Sequence, residues 1–188
     1  MTLLRPLPGL VIRPEWVERV TTGPYDAYSS AERAAIAAVN QFSFLHVTRS
    51  QEDVAPERRY DVEGLLNGCS AAMQQLYDVD AYVQHDEPTL FLYRLGVDRP
   101  ENGPGSRHVQ TGIMGLVPVT EESDRRILRH EAVRPGRTDL LAMHLTTVGA
   151  SSSPASLTFR SSGELAAEVA RLCRVTPDLE TNDDGVSQ

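Results

Sequence analysis

QTGIMGLVPVTEESDRRILRHEAVRPGRTDLLAMH, residues 110–144, is the stretch on which the reading of the fold turns. Its first run carries Ile113, Val117 and Val119 at one parity and Met114 and Leu116 at the other. Successive side chains of a strand point to opposite sides, so apolar residues at both parities predict a core strand covered on both faces. The chain then turns polar over residues 120–126, returns to Ile127-Leu128, and sets His130, Glu131 and Arg134 just ahead of Pro135-Gly136. An imidazole, a carboxylate and a guanidinium beside a turn can converge on a cleft, with the carboxylate as base, metal-phosphate ligand or ion-pair anchor. The competing reading is a surface salt bridge, which is common and contributes little.

On the N-terminal side, Trp16, Val17 and Val20 follow Pro14 with helical spacing, and Gly23-Pro24-Tyr25-Asp26 has turn composition. Ser29 and Glu32 have capping-box spacing and open an Ala-rich helix that ends near Asn40. Residues 42–49 alternate, with Phe44 and His46 on one face and Leu45 and Val47 on the other, which predicts a strand. Asp61 is placed to cap a helix bearing Val62, Leu65, Leu66, Cys69, Met73 and Leu76 on one face. Residues 81–84 and 89–95 read as strands, and the Gly-rich connection over residues 96–107 makes a hairpin of the second with the core strand. On the C-terminal side, Thr138 is placed to cap a helix with Leu141, Leu145 and Val148 on its apolar face. Residues 155–159 read as a strand, and Ser161 with Glu164 as a second capping box. The expected fold is α/β (α+β), a mixed sheet with helices packed on it, in one domain over residues 1–175. An acidic tail over residues 176–188, without apolar period, is expected to fray.

The totals exclude several classes. The net charge is -8, and all 18 basic residues are Arg, so neither a Schiff-base lysine nor a P-loop lysine exists. An acidic chain without a basic stripe is not expected to bind nucleic acid or an anionic membrane. No apolar run approaches the length of a membrane span and no leader-like segment opens the chain, so the expectation is a soluble cytoplasmic protein. Cys69 and Cys173 fall on apolar helical faces and read as reduced, buried thiols. The five histidines lack ligand spacing, and His130-Glu131 is followed by Arg134 where a zincin carries its second histidine, so no metal site is expected.

Several blocks in colinear order resemble the N-terminal half of a bacterial and archaeal family, domain-of-unknown-function family 1015. They are RPLPGLVIRPEWVERVTTGPYDAYSS with its Pro24-Tyr25-Asp26, the run from Asn40 to Val47 including His46, DEPTLFLYR, RHEAVRP and LTFR. Val133 stands where the family motif has Thr, and Asp139-Leu140 where it has Asp-Arg. The family's longer members carry a second half with an Asp-Gly-His-His-Arg motif similar to that of the ParB and sulfiredoxin superfamily, some of whose members phosphorylate free serine. Here Asp184-Gly185 is followed by Val186-Ser187-Gln188. The resemblance implies an incomplete ParB/sulfiredoxin-like fold and a nucleotide-dependent small-molecule kinase using ATP or ADP with Mg. Glu131 and His130 would be catalytic in it, and Arg134, Tyr25, Asp26 and His46 would bind substrate or phosphate. The alternative is a catalytically reduced module that binds a small-molecule ligand or a partner, the partner being a second copy or a complementary second-half chain.

Overall fold

The computed structural model describes residues 3–103, 105–120, 125–128, 132, 134–152, 154–183 and 186–187. Contacts gather the chain into two compact units where the sequence suggested one domain.

The unit made of Leu10–His85 and Val119–Ser152 is helical. A 3₁₀ turn starting at Pro14 runs into helix α1 (Val17–Val20). Ser29 accepts from the Glu32 amide while the Glu32 carboxylate accepts from the Ser29 amide, and this reciprocal cap starts α2 (Ser30–Val39). Asp61 accepts from the Gly64 amide and starts α3 (Val62–Asp78), which buries Leu65, Leu66, Cys69, Met73 and Leu76. These are the apolar positions of the helical period, and they form the core with Ile12, Val17, Val20, Leu45, Val47, Ala81 and Val148. Helix α4 (Pro135–Val148) packs against α3. Strands β1 (Leu10–Ile12) and β2 (Tyr82–Gln84) pair antiparallel as a two-stranded ribbon.

The other unit is Met1–Gly9, Asp86–Pro118 and Ser153–Gln188. Its frame is the hairpin of β3 (Phe91–Asp98) and β4 (Arg107–Met114), with Gly103 and Gly105 at positive φ in the connection. Asn182–Asp183 (β5) and Val186–Ser187 (β6) complete a sheet of order β4-β3-β6-β5 with every pair antiparallel. The tail expected to fray thus supplies two short strands. Helix α5 (Gly163–Leu172) completes the unit. Helices with antiparallel sheets keep the chain in the expected mixed α/β class, on its α+β side.

Other expectations are corrected. The supposed core strand ends at Met114, and its residues run from exposed to half-buried, never buried. Leu116 makes only an isolated bridge with Arg5, and Val119 is 98% exposed. Pro118 has no amide to give a ladder, and Gly112 and Gly115 carry no side chain to bury. The Tyr93 ring fills the space beside Gly112, and the Arg5 carbonyl with Leu90 and Leu4 fills that beside Gly115. Residues 42–49 are not a strand. Asn40 Oδ1 accepts from the Phe42 amide and Ser43 Oγ from the Leu45 amide, and these local bonds wind Phe44–His46 into a 3₁₀ turn. Residues 155–159 join no sheet among the described residues, and Phe159 is exposed. Two caps also move: Ser162, not Ser161, caps α5 through the Leu165 amide, and α4 starts at Pro135 with Arg134 as its N-cap, leaving Thr138 inside the first turn.

Candidate functional site

Among the described residues, a close convergence of side chains lies in the helical unit, around Tyr25, Arg33, Ser50 and Asp53. Tyr25 opens a 3₁₀ turn directly after Pro24, Arg33 lies on the inner face of α2, and Ser50 caps the 3₁₀ turn Gln51–Asp53 that ends in Asp53. Arg33 Nε donates to Asp53 Oδ1 at 2.8 Å. Its Nη2 lies 2.8 Å from the same oxygen but off the hydrogen-bonding direction, so the contact is ionic. Nη1 donates to the Tyr28 carbonyl at 2.6 Å, and the guanidinium carbon sits 4.0 Å from the Tyr25 ring centroid. Asp53 Oδ2 accepts from the Tyr25 hydroxyl at 2.5 Å and from the Ser50 amide at 2.9 Å. The phenol has one proton to donate, and its hydrogen bond goes to the carboxylate. Ser50 Oγ, 2.6 Å from the Tyr25 oxygen, is therefore the donor in that contact.

These bonds set the titration of the group. Burial opposes the charge on Asp53, but Tyr25, the Ser50 amide and Arg33 together hold its carboxyl below the usual range. Burial, aided by the Asp53 hydrogen bond, pushes the Tyr25 phenol up to about 12. A carboxylate held ionised by three partners is a weak base, and a phenol displaced upward is a weak acid. The cluster ties the turn at residues 25–27 and the segment at residues 50–53 to α2.

Stability should therefore fall at both ends of the pH scale. The Asp53 contribution is present above its unfolded pKa and is lost as pH falls through its depressed folded value. The Tyr25 contribution is present below its ordinary value of 10.0 and is lost as pH rises towards about 12. Tyr82, also raised to about 12 by burial, adds to the alkaline loss. In melts followed by fluorescence of Trp16, the only tryptophan, Tyr25→Phe should remove part of the alkaline decline and Tyr25→Phe with Tyr82→Phe more of it. An alkaline decline identical in all three proteins would refute the assignment.

The remaining candidates lie elsewhere. His46 Nε2–H donates to the carbonyls of Ala37 and Asn40, both at 3.1 Å, and Nδ1 accepts from Arg49 Nη2 at 2.9 Å. Both ring nitrogens are thus engaged in holding the 3₁₀ turn against the end of α2. Asp26 is exposed on its turn. Arg134 is exposed, and its carbonyl accepts from the amides of Arg137 and Thr138. His130 and Glu131 lie outside the described residues. Among the described residues no group of three or more His, Cys, Asp and Glu could hold a metal ion, and no helix is long and apolar enough to cross a membrane.

With this geometry in hand, the comparison with known proteins is brief. A family model described as "Protein of unknown function (DUF1015)" matches residues 4–188. The chain belongs to the DUF1015 family. No curated protein and no solved structure matches. In this DUF1015 chain the motif around Pro24-Tyr25-Asp26 contributes Tyr25 to the cluster, whereas the partners Arg33, Ser50 and Asp53 belong to none of the quoted motifs. Two further residues draw the same region together: His144 of α4 donates through Nε2 to the Val47 carbonyl at 2.8 Å, and Cys69 of α3 reaches the Arg49 carbonyl at 3.6 Å. The signals available were an arginine inside an Ala-rich helix and the Ser50-x-x-Asp53 spacing of a capping box.

Proposed function

We propose that this chain acts as a ligand- or partner-binding module and is not by itself a nucleotide-dependent kinase. The reading rests on the unit built from the hairpin. Among its described residues no apolar side chain is fully buried, while Leu90, Tyr93, Val109, Leu116 and Phe159 are exposed. A sheet is stabilised by burying a face against another layer, so a sheet unit whose apolar side chains are at most half-buried is completed by what it binds. The polar cluster of the helical unit supports the same reading, since its hydroxyls and carboxylate are occupied by one another and by Arg33 Nε.

Two measurements test this. Hydrogen exchange on dilute protein should find the amides of β3 and β4 far less protected than those of α3, because a ladder with no fully buried side chain opens more easily than a helix with a buried face. Equal protection would remove the basis of the proposal. Incubation with ATP or ADP, Mg and free serine should yield no phosphoserine above background. Turnover that Glu131→Gln abolishes would instead establish the kinase reading, with Glu131 activating the acceptor hydroxyl.

A further inference from the structure

We infer that the outer edge of β4 pairs with the same edge of a second copy of this chain, antiparallel about a two-fold axis at Thr111, joining two four-stranded sheets into one. The inference rests on the partner-binding reading above and names the partner.

In the order β4-β3-β6-β5, β4 is outermost. It pairs with β3 over its whole length, from Arg107 opposite Asp98 to Met114 opposite Phe91, in an unbroken register. Among the described residues no strand lies on its other side, and residues 107–111 are exposed. Half of the strand's amides and carbonyls therefore point outward from a long, regular edge. Soluble proteins usually blunt such an edge with Lys, Pro, a bulge or an inward charge. RHVQTGIM has no Lys and no Pro, the register has no bulge, and no acidic residue falls in the strand.

The sequence of the edge selects a second copy in one alignment. A two-fold axis normal to a sheet keeps each face on its own side, so it joins only residues of like parity. With Thr111 on the axis, Thr111 meets Thr111 of the other copy, Val109 meets Ile113, Gln110 meets Gly112 and His108 meets Met114. Thr–Thr and β-branched pairs are among the favourable cross-strand combinations. Arg107 meets Gly115, so no like charges stand opposite, and the two Arg107 residues lie at opposite ends of the ladder, about 27 Å apart at ~3.4 Å per residue. A parallel alignment would instead set Arg107 against Arg107 and His108 against His108. Arg107 also has Asp98 of its own hairpin at 3.9 Å, and its guanidinium lies over Gly96, which draws it towards β3.

Light scattering on size-exclusion peaks should give twice the chain mass for the full chain at tens of micromolar. Thr111→Lys sets two ammonium groups together on the axis and should raise the dimer dissociation constant at least tenfold, with an unchanged circular dichroism spectrum. Thr111→Cys is the geometric test, because directly opposed antiparallel residues have Cα atoms at about 4.5–5.5 Å, within disulfide reach. Under mild oxidation it should give a covalent dimer on a non-reducing gel. Wild type, with Cys69 and Cys173, and Gln110→Cys should not. The inference fails if the wild type stays monomeric, or if it dimerises without responding to Thr111→Lys and without crosslinking at Thr111. Monomeric wild type with poorly protected β3 and β4 defeats only the edge pairing. Monomeric wild type with a well-protected hairpin defeats the partner-binding reading as well.

Discussion

Arg33→Ala is expected to cost the helical unit about 3–5 kcal/mol, the range found when one partner of a buried ion pair is removed. Arg33 is 6% exposed and the Asp53 side chain 8%. The truncation leaves Asp53 with Tyr25 and the Ser50 amide but without its counter-charge, and leaves the Tyr28 carbonyl without a donor. It also removes the cation from the Tyr25 ring. Replacing both partners, as in Arg33→Leu with Asp53→Leu, should cost much less than the sum of the single changes, since no charge is then stranded. The contrasting pair is Arg171 with Glu168 on α5, bonded through two nitrogens at 2.6 and 2.8 Å but exposed, where Arg171→Ala should scarcely change the melting behaviour. Urea unfolding followed by Trp16 fluorescence measures the first effect. A loss under about 1 kcal/mol for Arg33→Ala would mean that water screens the pair.

What the sequence discloses depends on how local the deciding interaction is. The caps at Ser29 and Asp61 and the buried face of α3 were legible because each involves residues within one or two turns of one another. The 3₁₀ turn Phe44–His46 was not, because three alternating residues look the same in a strand and in a single tight turn. Asn40 and Ser43 decide between them by supplying side-chain acceptors to the Phe42 and Leu45 amides. Apolar residues at both parities over residues 113–119 likewise record the residue types, not whether a layer covers them. Leu116 and Val119 are apolar and exposed. The β3–β4 hairpin was legible because its connection carries Asn102-Gly103 and Gly105 between two apolar runs.

The site follows the same rule. Tyr25 was singled out through its turn and its resemblance to a family motif, but its partners sit 8, 25 and 28 residues further on, and no periodicity connects them. His46 was singled out as well, on a strand face with Phe44, and its ring instead bridges the end of α2 to Arg49. Nonlocal pairing of polar groups is decided by packing of the elements that carry them, which residue types alone do not encode.

Packing also sets the second large effect, that of Leu76→Ala. Leu76 is 2% exposed near the end of α3, and its carbonyl accepts from the Ala81 amide where the chain leaves the helix through Asp80 at φ 57. Cutting the side chain to a methyl removes apolar transfer energy and leaves a cavity that neighbours such as Met73 can fill only in part, which costs about 2–5 kcal/mol. The backbone bond to Ala81 survives the substitution, so the loss measures packing alone. Val119→Ala removes apolar volume from a side chain that is 98% exposed and should change stability by less than about 0.5 kcal/mol. Trp16 reports the difference because its ring packs edge-on to Phe42 at 5.0 Å, with the Arg19 guanidinium 4.5 Å above it, within the same unit as α3. If Leu76→Ala unfolds at the same urea concentration as Val119→Ala, α3 does not carry the core of that unit. A matched shift in midpoint with an unchanged slope would instead assign the whole effect to lost burial around α3, because the slope follows the surface exposed on unfolding.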